Sequence, residues 1–211
     1  MIPRSGAELA AALGVSRETA ERWQIHHDLL LAWTKRINLV SRHSVADIWS
    51  RHFADSAALW PFAPSHGSWL DLGSGAGFPG LVIAAIAAEH AEDLRITLVE
   101  SDQRKAAFLR EVVRTAALSV AVVSQRVEAA PPQNADIVSA RAFAPLRRLL
   151  AHAAPHLAVD GRCLLHKGAQ YQSELTDAAR DWHSRAEALP NRFNAEGVIL
   201  SISGIARVRP G

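Results

Sequence analysis

The residues with the most evident chemical potential lie in a glycine-rich segment between two apolar runs, at residues 69–81. The segment contains an acid, three alternating glycines, an aromatic residue and a proline: Asp71, Gly73, Gly75, Gly77, Phe78 and Pro79. The apolar run before it predicts a buried strand, and the run after it predicts a buried helix. Glycines at a strand-to-helix turn allow unusual backbone angles and let a ligand lie against the main chain. The segment therefore predicts a ligand-binding turn.

Two classes of cofactor fit this turn. The spacing of Gly75, Gly77 and Gly80 matches the dinucleotide fingerprint, with Glu100 near the expected distance downstream. The spacing of Asp71, Gly73, Gly75 and Gly77 instead matches the first motif of Rossmann-like S-adenosylmethionine enzymes, in which Glu100 would accept both ribose hydroxyls. The carboxylate favours the second class, because it stabilises a sulfonium and an ammonium but not a pyrophosphate. A structural turn without a ligand is the third alternative.

Arg141 follows the predicted fourth strand and is a candidate for the same site. A guanidinium at this position can hold a carboxylate, a guanine O6 or a phosphate. The alternative is a structural salt bridge to Asp71 or Asp136. We favour the functional role.

Arg51, His52 and Asp55 form a second polar group, and their spacing places them close together on one helix. Such a group could bind a metal or perform acid–base chemistry. Alternatively, it could form a buried polar cluster that joins the helical cap to the sheet. We favour the buried cluster. The ten histidines show no ligand spacing with cysteine, so no metal site is predicted.

Composition limits the class of protein. The 211 residues are 49% hydrophobic, which suffices for one large α/β core. The single cysteine, Cys163, excludes an internal disulfide and suits a packed thiol in a reducing compartment. The apolar run at residues 78–88 is too short to span a bilayer, and no signal peptide is evident. We therefore expect a cytoplasmic protein outside the membrane. No feature of the sequence suggests an obligate partner, so a monomer is expected.

Charge is unevenly distributed, although the net charge is only +2. Residues 29–46 contain no acid but include Lys35, Arg36 and Arg42. Residues 137–173 contain a single acid, Asp160, among several arginines and Lys167. The two tracts would form a phosphate-binding rim if they converge, and two solvated faces if they do not.

The order of elements predicts the fold. The first sixty residues show helical patterns only, and a strand–helix alternation follows. Strands are predicted at residues 68–72, 95–99, 119–123, 135–139, 161–166 and 197–203, and helices at 78–89, 102–117, 145–156 and 170–185. This alternation predicts a doubly wound, mostly parallel sheet with its ligand beyond the carboxyl ends of the strands. Residues 1–62 should form a helical cap packed on a Rossmann-like domain at 63–211, in one compact unit.

An ordered set of motifs between about residue 33 and residue 168 resembles the RsmG (GidB) family of bacterial ribosomal RNA methyltransferases. The motifs are Asn38-Leu39-Val40, Arg51-His52-x-x-Asp55-Ser56, the glycine turn through Gly80, Glu100 to Leu109, Arg126-Val127-Glu128, Ser139-x-Arg141-Ala142 and Lys167-Gly168. Thr34 and Val40 depart from the family pattern, which has asparagine and threonine at these positions. No motif is assigned after Gln170.

The resemblance implies methylation of N7 of one guanine in the 530 loop of 16S ribosomal RNA, with S-adenosylmethionine as cofactor. The substrate would be the RNA or the small ribosomal subunit. The implied cofactor-binding residues are Asp71, Gly73, Gly75, Gly77, Phe78, Glu100, Val127, Glu128 and Arg141. The RNA-binding candidates are Lys35, Arg36, Asn38, Arg42, Arg147 and Lys167.

The implied reaction is an in-line methyl transfer without a general base, in which Arg141 has a positioning role. Three other functions are kept as alternatives. They are a dinucleotide-dependent oxidoreductase, a small-molecule methyltransferase, and a non-catalytic ribosome-assembly factor on the same fold.

Overall fold

The N-terminal part of the chain is helical, as expected. The structure is a computed structural model that describes residues 2–41 and 44–208. Helix α1 spans Gly6–Leu13, and helix α2 spans Arg17–Thr34. The side chains of Ser5 and Ser16 accept hydrogen bonds from backbone N–H groups at the starts of these helices, which satisfies donors that lack a partner inside the helix. A π-helical segment, Trp49–Ala54, continues into a short helix α3, Asp55–Ala57.

Helix α2 packs on the rest of the protein through Thr19, Trp23, His26 and Leu30, all of which are buried. A helical pattern read from the sequence through Trp23, His27 and Leu30 predicts His27 on this face, and the structure places His26 there instead. The buried residues recur at spacings of four, three and four, which selects His26. His27 lies beside this face, where its ring stacks on Trp49.

A seven-stranded sheet forms the centre of the protein, in the order β3-β2-β1-β4-β5-β7-β6. The strands are β1 Gly67–Leu72, β2 Leu94–Val99, β3 Val120–Val123, β4 Ala135–Ala140, β5 Leu157–Lys167, β6 Trp182–Pro190 and β7 Val198–Arg207. Strands β1 to β5 pair in parallel, and β7 pairs antiparallel with both β5 and β6. This confirms the predicted doubly wound, mostly parallel sheet.

Four helices connect the strands: α4 Gly80–His90, α5 Gln103–Thr115, α6 Leu146–Ala153 and α7 Tyr171–Ala178. The buried apolar side chains form two clusters. One contains α4 and α5 with the N-terminal helices, and the other contains α6 with β4, β5 and β7. The sheet therefore has apolar layers on both faces, which explains why the central strands are continuous apolar runs.

The predicted helix at residues 170–185 is wrong in its second half. Helix α7 ends at Ala178, and strand β6 begins at Trp182. Strand β6 is an edge strand with most of its residues exposed, so its sequence lacks the apolar alternation that would have revealed it. Its strand conformation comes from pairing with β7, which is a contact between distant parts of the sequence.

The N-terminal helices are joined to the sheet domain by specific polar contacts. The carboxylate of Glu89 in α4 accepts hydrogen bonds from the hydroxyls of Ser16 and Thr19, at 2.7 and 2.6 Å. Arg162 of β5 donates to the carbonyl of Phe62 at 2.7 Å. The domain boundary at residue 63 stays a prediction. Within residues 2–41 and 44–208, no helix is both long enough and apolar enough to cross a membrane.

Candidate active site

The glycine turn connects the end of β1 to the start of α4, as the sequence predicts. Gly73 has φ +63°, and a Cβ at this position would lie 2.3 Å from Cδ2 of Phe143. A Cβ on Gly80 would lie 2.3 Å from Cδ2 of Leu98, so α4 packs very closely against the sheet. Gly73 is needed because of its positive φ and its close neighbour Phe143, and Gly80 is needed because of the close approach of Leu98.

Asp71 lies fully buried beneath this turn. Its Oδ1 accepts a hydrogen bond from Oγ of Ser139 at 2.7 Å, and its Oδ2 accepts one from the N–H of Gly80 at 3.3 Å. Burial raises the pKa of Asp71 to about 6, although these hydrogen bonds oppose the rise. The carboxylate thus joins β1, β4 and the start of α4. Its direct contact with a cofactor stays a prediction.

Glu100 follows β2 and lies beside the glycine turn. Its Oε2 accepts from the N–H of Gly75, and its Oε1 accepts from the N–H of Asp102, both at 2.8 Å. The side chain is held in one orientation by these two bonds. A carboxylate has about four acceptor sites, so each oxygen can accept a further donor such as a ribose hydroxyl.

A cavity of about 250 Å³ lies next to the turn, beyond the carboxyl ends of β1, β2 and β3. Gly73, Val127 and Glu128 all line it. The carbonyl of Val127 lies 3.2 Å from Nε2 of His156, and the carboxylate of Glu128 lies 3.5 Å from Nδ1 of His152. The structure therefore brings together three residues that the sequence analysis associates with one cofactor. We call this space the turn cavity.

A second cavity, of about 530 Å³, lies at the ends of β4 and β5. Arg141 and Lys167 line it, together with the loop between β6 and β7. We call it the loop cavity. Phe143 and Ala144 line both cavities, so the two spaces share one wall. Ligands bound in the two cavities would therefore lie next to each other.

Arg141 lies at the border of the loop cavity in a buried polar cluster. Its Nη2 donates a hydrogen bond to the carbonyl of Arg51 and lies 3.5 Å from Oδ2 of Asp55. Oδ1 of Asp55 accepts a hydrogen bond from the side chain of Asn191. The backbone carbonyl of Asp55 lies 2.7 Å from Nε2 of His166. Arg141 thus pairs with Asp55 of the N-terminal part, and with neither of the acids suggested from the sequence. Burial lowers the pKa of Arg141, and the neighbouring Asp55 carboxylate opposes this.

Asn191 was missed by the sequence analysis, which assigned no motif after Gln170. It is buried, and it contacts a residue 136 positions earlier in the chain. Its isolated position in a loop gives no local signal. The cluster as a whole agrees with the favoured interpretation of Asp55, which was a buried polar contact between the N-terminal helices and the sheet.

Phe78 lies under the glycine turn between two histidines. Its ring centroid is 4.9 Å from that of His26 and 5.0 Å from that of His52. Nε2 of His26 lies 2.7 Å from the carbonyl of Ala76, which is part of the turn. Burial lowers the pKa of each histidine to about 4, so both rings are neutral at neutral pH. His26 was also missed by the sequence analysis.

The first basic tract begins at the end of α2. Lys35, Arg36 and Asn38 are exposed and line a cavity of about 400 Å³ after this helix. Arg42 lies outside the described residues. Their contact with RNA stays a prediction.

The two remaining RNA-binding candidates are engaged in ion pairs. Arg147 donates two hydrogen bonds to Asp181, at 2.6 and 2.9 Å. Nζ of Lys167 lies 2.6 Å from the carboxylate of Glu174, at the wall of the loop cavity. Lys167 therefore lies near a cavity, whereas Arg147 joins α6 to the segment before β6.

Two further expectations concern cysteine and metals. Cys163 is buried in β5, and burial raises the pKa of its thiol to about 12, which agrees with a packed thiol. In the part of the chain that the structure describes, no group of three or more His, Cys, Asp or Glu side chains is arranged to hold a metal ion.

Comparisons with known proteins agree on one family. The model of GidB, described as rRNA small subunit methyltransferase G, matches residues 19–195. A protein named Ribosomal RNA small subunit methyltransferase G from a strain of Cereibacter sphaeroides is 50% identical over 202 residues, which is 95% of this chain and 97% of that protein. A protein of the same name from Paramagnetospirillum magneticum is 47% identical over 203 residues, covering 96% of this chain and 97% of that protein.

Solved structures of low sequence identity share the fold. A SAM-dependent methyltransferase from Aquifex aeolicus has a TM-score of 0.57 at 12% identity, covering 74% of this chain and 93% of that chain. M. jannaschii TYW2 in complex with AdoMet has a TM-score of 0.54 at 11% identity, covering 83% and 80%. With the fold confirmed and the family model matching most of the described residues, the resemblance seen in the motifs is confirmed: this chain belongs to the GidB family, rRNA small subunit methyltransferase G.

Proposed function

We propose that this protein transfers a methyl group from S-adenosylmethionine to N7 of a guanine in the 530 loop of 16S ribosomal RNA. It acts as a monomer in the bacterial cytoplasm, on the RNA or on the small subunit. The observation that carries this proposal is the pair of adjoining cavities at the carboxyl ends of the parallel strands. The two cavities adjoin at Phe143 and Ala144, so a methyl donor in one and an acceptor base in the other would be neighbours at this end of the sheet.

The turn cavity suits the cofactor. The glycine turn leaves its backbone accessible at Gly73, and the carboxylate of Glu100 is fixed beside it with free acceptor sites. Val127 and Glu128 would meet the adenine, and the glycine turn would hold the amino-acid end, with Asp71 and Phe78 supporting the turn from below. When bound, S-adenosylmethionine supplies an electrophilic methyl group.

Methylation at N7 does not require a general base from the protein. N7 of guanine carries a lone pair in the plane of the ring, so no proton has to be removed before it attacks a methyl carbon. The protein must hold the base and exclude alternative geometries. Arg141 is suited to this positioning, because its guanidinium is fixed by Arg51 and Asp55 at the wall of the loop cavity. The rate should therefore change little between about pH 6 and about pH 9.

The guanine must be unpaired to enter a cavity. N7 faces the major groove, and the major groove of an A-form helix is too narrow for side chains. Lys35, Arg36, Asn38 and Arg42 are proposed to contact phosphates that flank the guanine. If they do, RNA binding weakens steeply as salt is raised, and replacing Lys35 and Arg36 makes that dependence shallower.

The test is methyl transfer from tritiated S-adenosylmethionine to small subunits from a strain that lacks the enzyme, followed by identification of the methylated nucleoside. The expected product is 7-methylguanosine at one site. R141A should lose most of the activity. Arg141 lines the loop cavity and is not among the lining residues of the turn cavity, so the variant should still bind the cofactor although the resemblance also implies cofactor binding for this residue. R95A, which changes an exposed arginine at the start of β2, is the matched control. Another methylated atom would refute the proposal. Cofactor binding without transfer to RNA or subunits would favour a small-molecule methyltransferase or an assembly factor.

A further inference from the structure

The loop cavity has the size and place of a pocket for the acceptor base. Its volume of about 530 Å³ lies within the range of about 300 to 1,000 Å³ that is usual for small-molecule sites. It opens next to the turn cavity, from which the methyl group would come. The inference below rests on the proposed function and concerns how this cavity recognises guanine.

N7 alone does not identify guanine. Adenine presents the same N7 acceptor, so a protein that selects guanine must read another part of the base. The Watson–Crick edges of the two bases differ most, because guanine offers N1–H and N2–H donors where adenine offers the N1 acceptor. Enzymes that hold an unstacked base commonly read this edge. A carboxylate suits guanine, since it accepts from both donors and repels the N1 acceptor of adenine.

Three carboxylates line the loop cavity, and two of them are already engaged. Asp55 accepts from Asn191 and lies beside Arg141. Glu174 accepts from Lys167 and from the backbone of α6. The third is Glu196, an exposed residue whose carboxylate has no hydrogen-bond donor among the described residues.

The backbone around Glu196 is held in place although its carboxylate is free. The N–H of Glu196 donates to the side chain of Asn194, at 3.2 Å, and the N–H of Gly197 donates to the carbonyl of the same residue, also at 3.2 Å. Asn191 joins the start of this loop to Asp55. The backbone of Glu196 therefore has a defined position at the wall of the cavity, and its side chain is exposed there.

We infer that Glu196 reads the Watson–Crick edge of the target guanine, by accepting hydrogen bonds from its N1–H and N2–H groups in the loop cavity. Glu196 is a specificity-determining residue under this inference. It contacts the edge of the base opposite the reacting N7 side and takes no part in the transfer itself. The C-terminal segment, which carries no motif, thereby supplies the selectivity of the site.

The experiment compares small subunits reconstituted with 16S ribosomal RNA that carries guanosine or inosine at the target position. Inosine keeps N7, O6 and N1–H but lacks the 2-amino group. The unaltered enzyme should methylate guanosine about tenfold to a hundredfold faster than inosine, because a carboxylate then loses one charged hydrogen bond. In E196A this preference should fall close to one. The rate on guanosine should fall more than the rate on inosine, because guanosine loses two hydrogen bonds to the carboxylate and inosine loses only the one from N1–H. E196Q should lie between the two.

E187A is the matched control, because Glu187 is an exposed acid on the neighbouring strand β6. It should keep the full preference for guanosine. Cofactor affinity, measured by calorimetry, should be equal in all variants. Equal losses on guanosine and inosine in E196A would overturn the inference and leave the proposed function intact. Failure of the unaltered enzyme to methylate N7 of guanosine subunits would overturn both.

Discussion

His26 offers a direct test of how the N-terminal helices support the glycine turn. The ring is 2% exposed, and its Nε2 lies 2.7 Å from the carbonyl of Ala76. Burial lowers the pKa of His26 from 6.5 to about 4, against the opposing effect of the bond to Ala76. The unfolded chain therefore binds a proton in a pH range where the folded protein does not, and the contribution of His26 to stability is lost as pH falls from 6.5 toward 4.

The size of the change in the free energy of unfolding follows from the pKa shift of His26. One pKa unit corresponds to about 1.4 kcal/mol, so the full effect is about 3 kcal/mol, of which about 2 kcal/mol is lost between about pH 7 and about pH 5. Asp71 acts in the opposite direction, because its raised pKa of about 6 adds stability as pH falls. The pH dependence of a His26 variant must therefore be compared with that of the unaltered protein, because both proteins contain Asp71 and its effect cancels in the difference.

The variant is H26Q, which removes the titration but keeps a donor for the Ala76 carbonyl. Urea unfolding followed by tryptophan fluorescence gives the free energy of unfolding at each pH. Relative to the unaltered protein, H26Q should gain about 2 kcal/mol on going from about pH 7 to about pH 5. H183Q, which changes an exposed histidine on β6, is the matched control. A difference between H26Q and the unaltered protein that stays constant with pH would show that His26 does not bind a proton on unfolding in this range.

Two further predictions concern the turn cavity. G73A should lower the free energy of unfolding by about 1 to 3 kcal/mol in urea titrations, because alanine is strained at φ +63° and its Cβ would meet Phe143; an unchanged midpoint would count against this account of the turn. E100Q should weaken cofactor binding measured by calorimetry by about tenfold or more, because the amide cannot accept from Gly75, Asp102 and both ribose hydroxyls at once. E128Q, which changes an exposed residue at the wall of the turn cavity, should have the smaller effect, and the reverse order would show that Glu100 serves the turn alone.

Much of the fold could be predicted because its signals are local. The apolar runs on either side of the glycines and the regular alternation of strands and helices from residue 68 each depend on neighbours that are close in the sequence. Strand β6 could not be predicted in this way. It lies at an exposed edge, and only its pairing with β7 makes it a strand.

The family, the sheet and the turn at Gly73 could be predicted from the sequence, because they depend on the spacing of glycines and acids along the chain, which folding does not change. The partners of the polar groups could be identified only in the folded protein. Arg141 pairs with Asp55 and not with Asp71 or Asp136, Asn191 contacts that same carboxylate from the C-terminal loop, and His26 packs under a turn fifty residues away. Buried polar groups need hydrogen-bond partners, but the sequence pattern does not identify these partners, because they come together only when distant segments of the chain pack against each other.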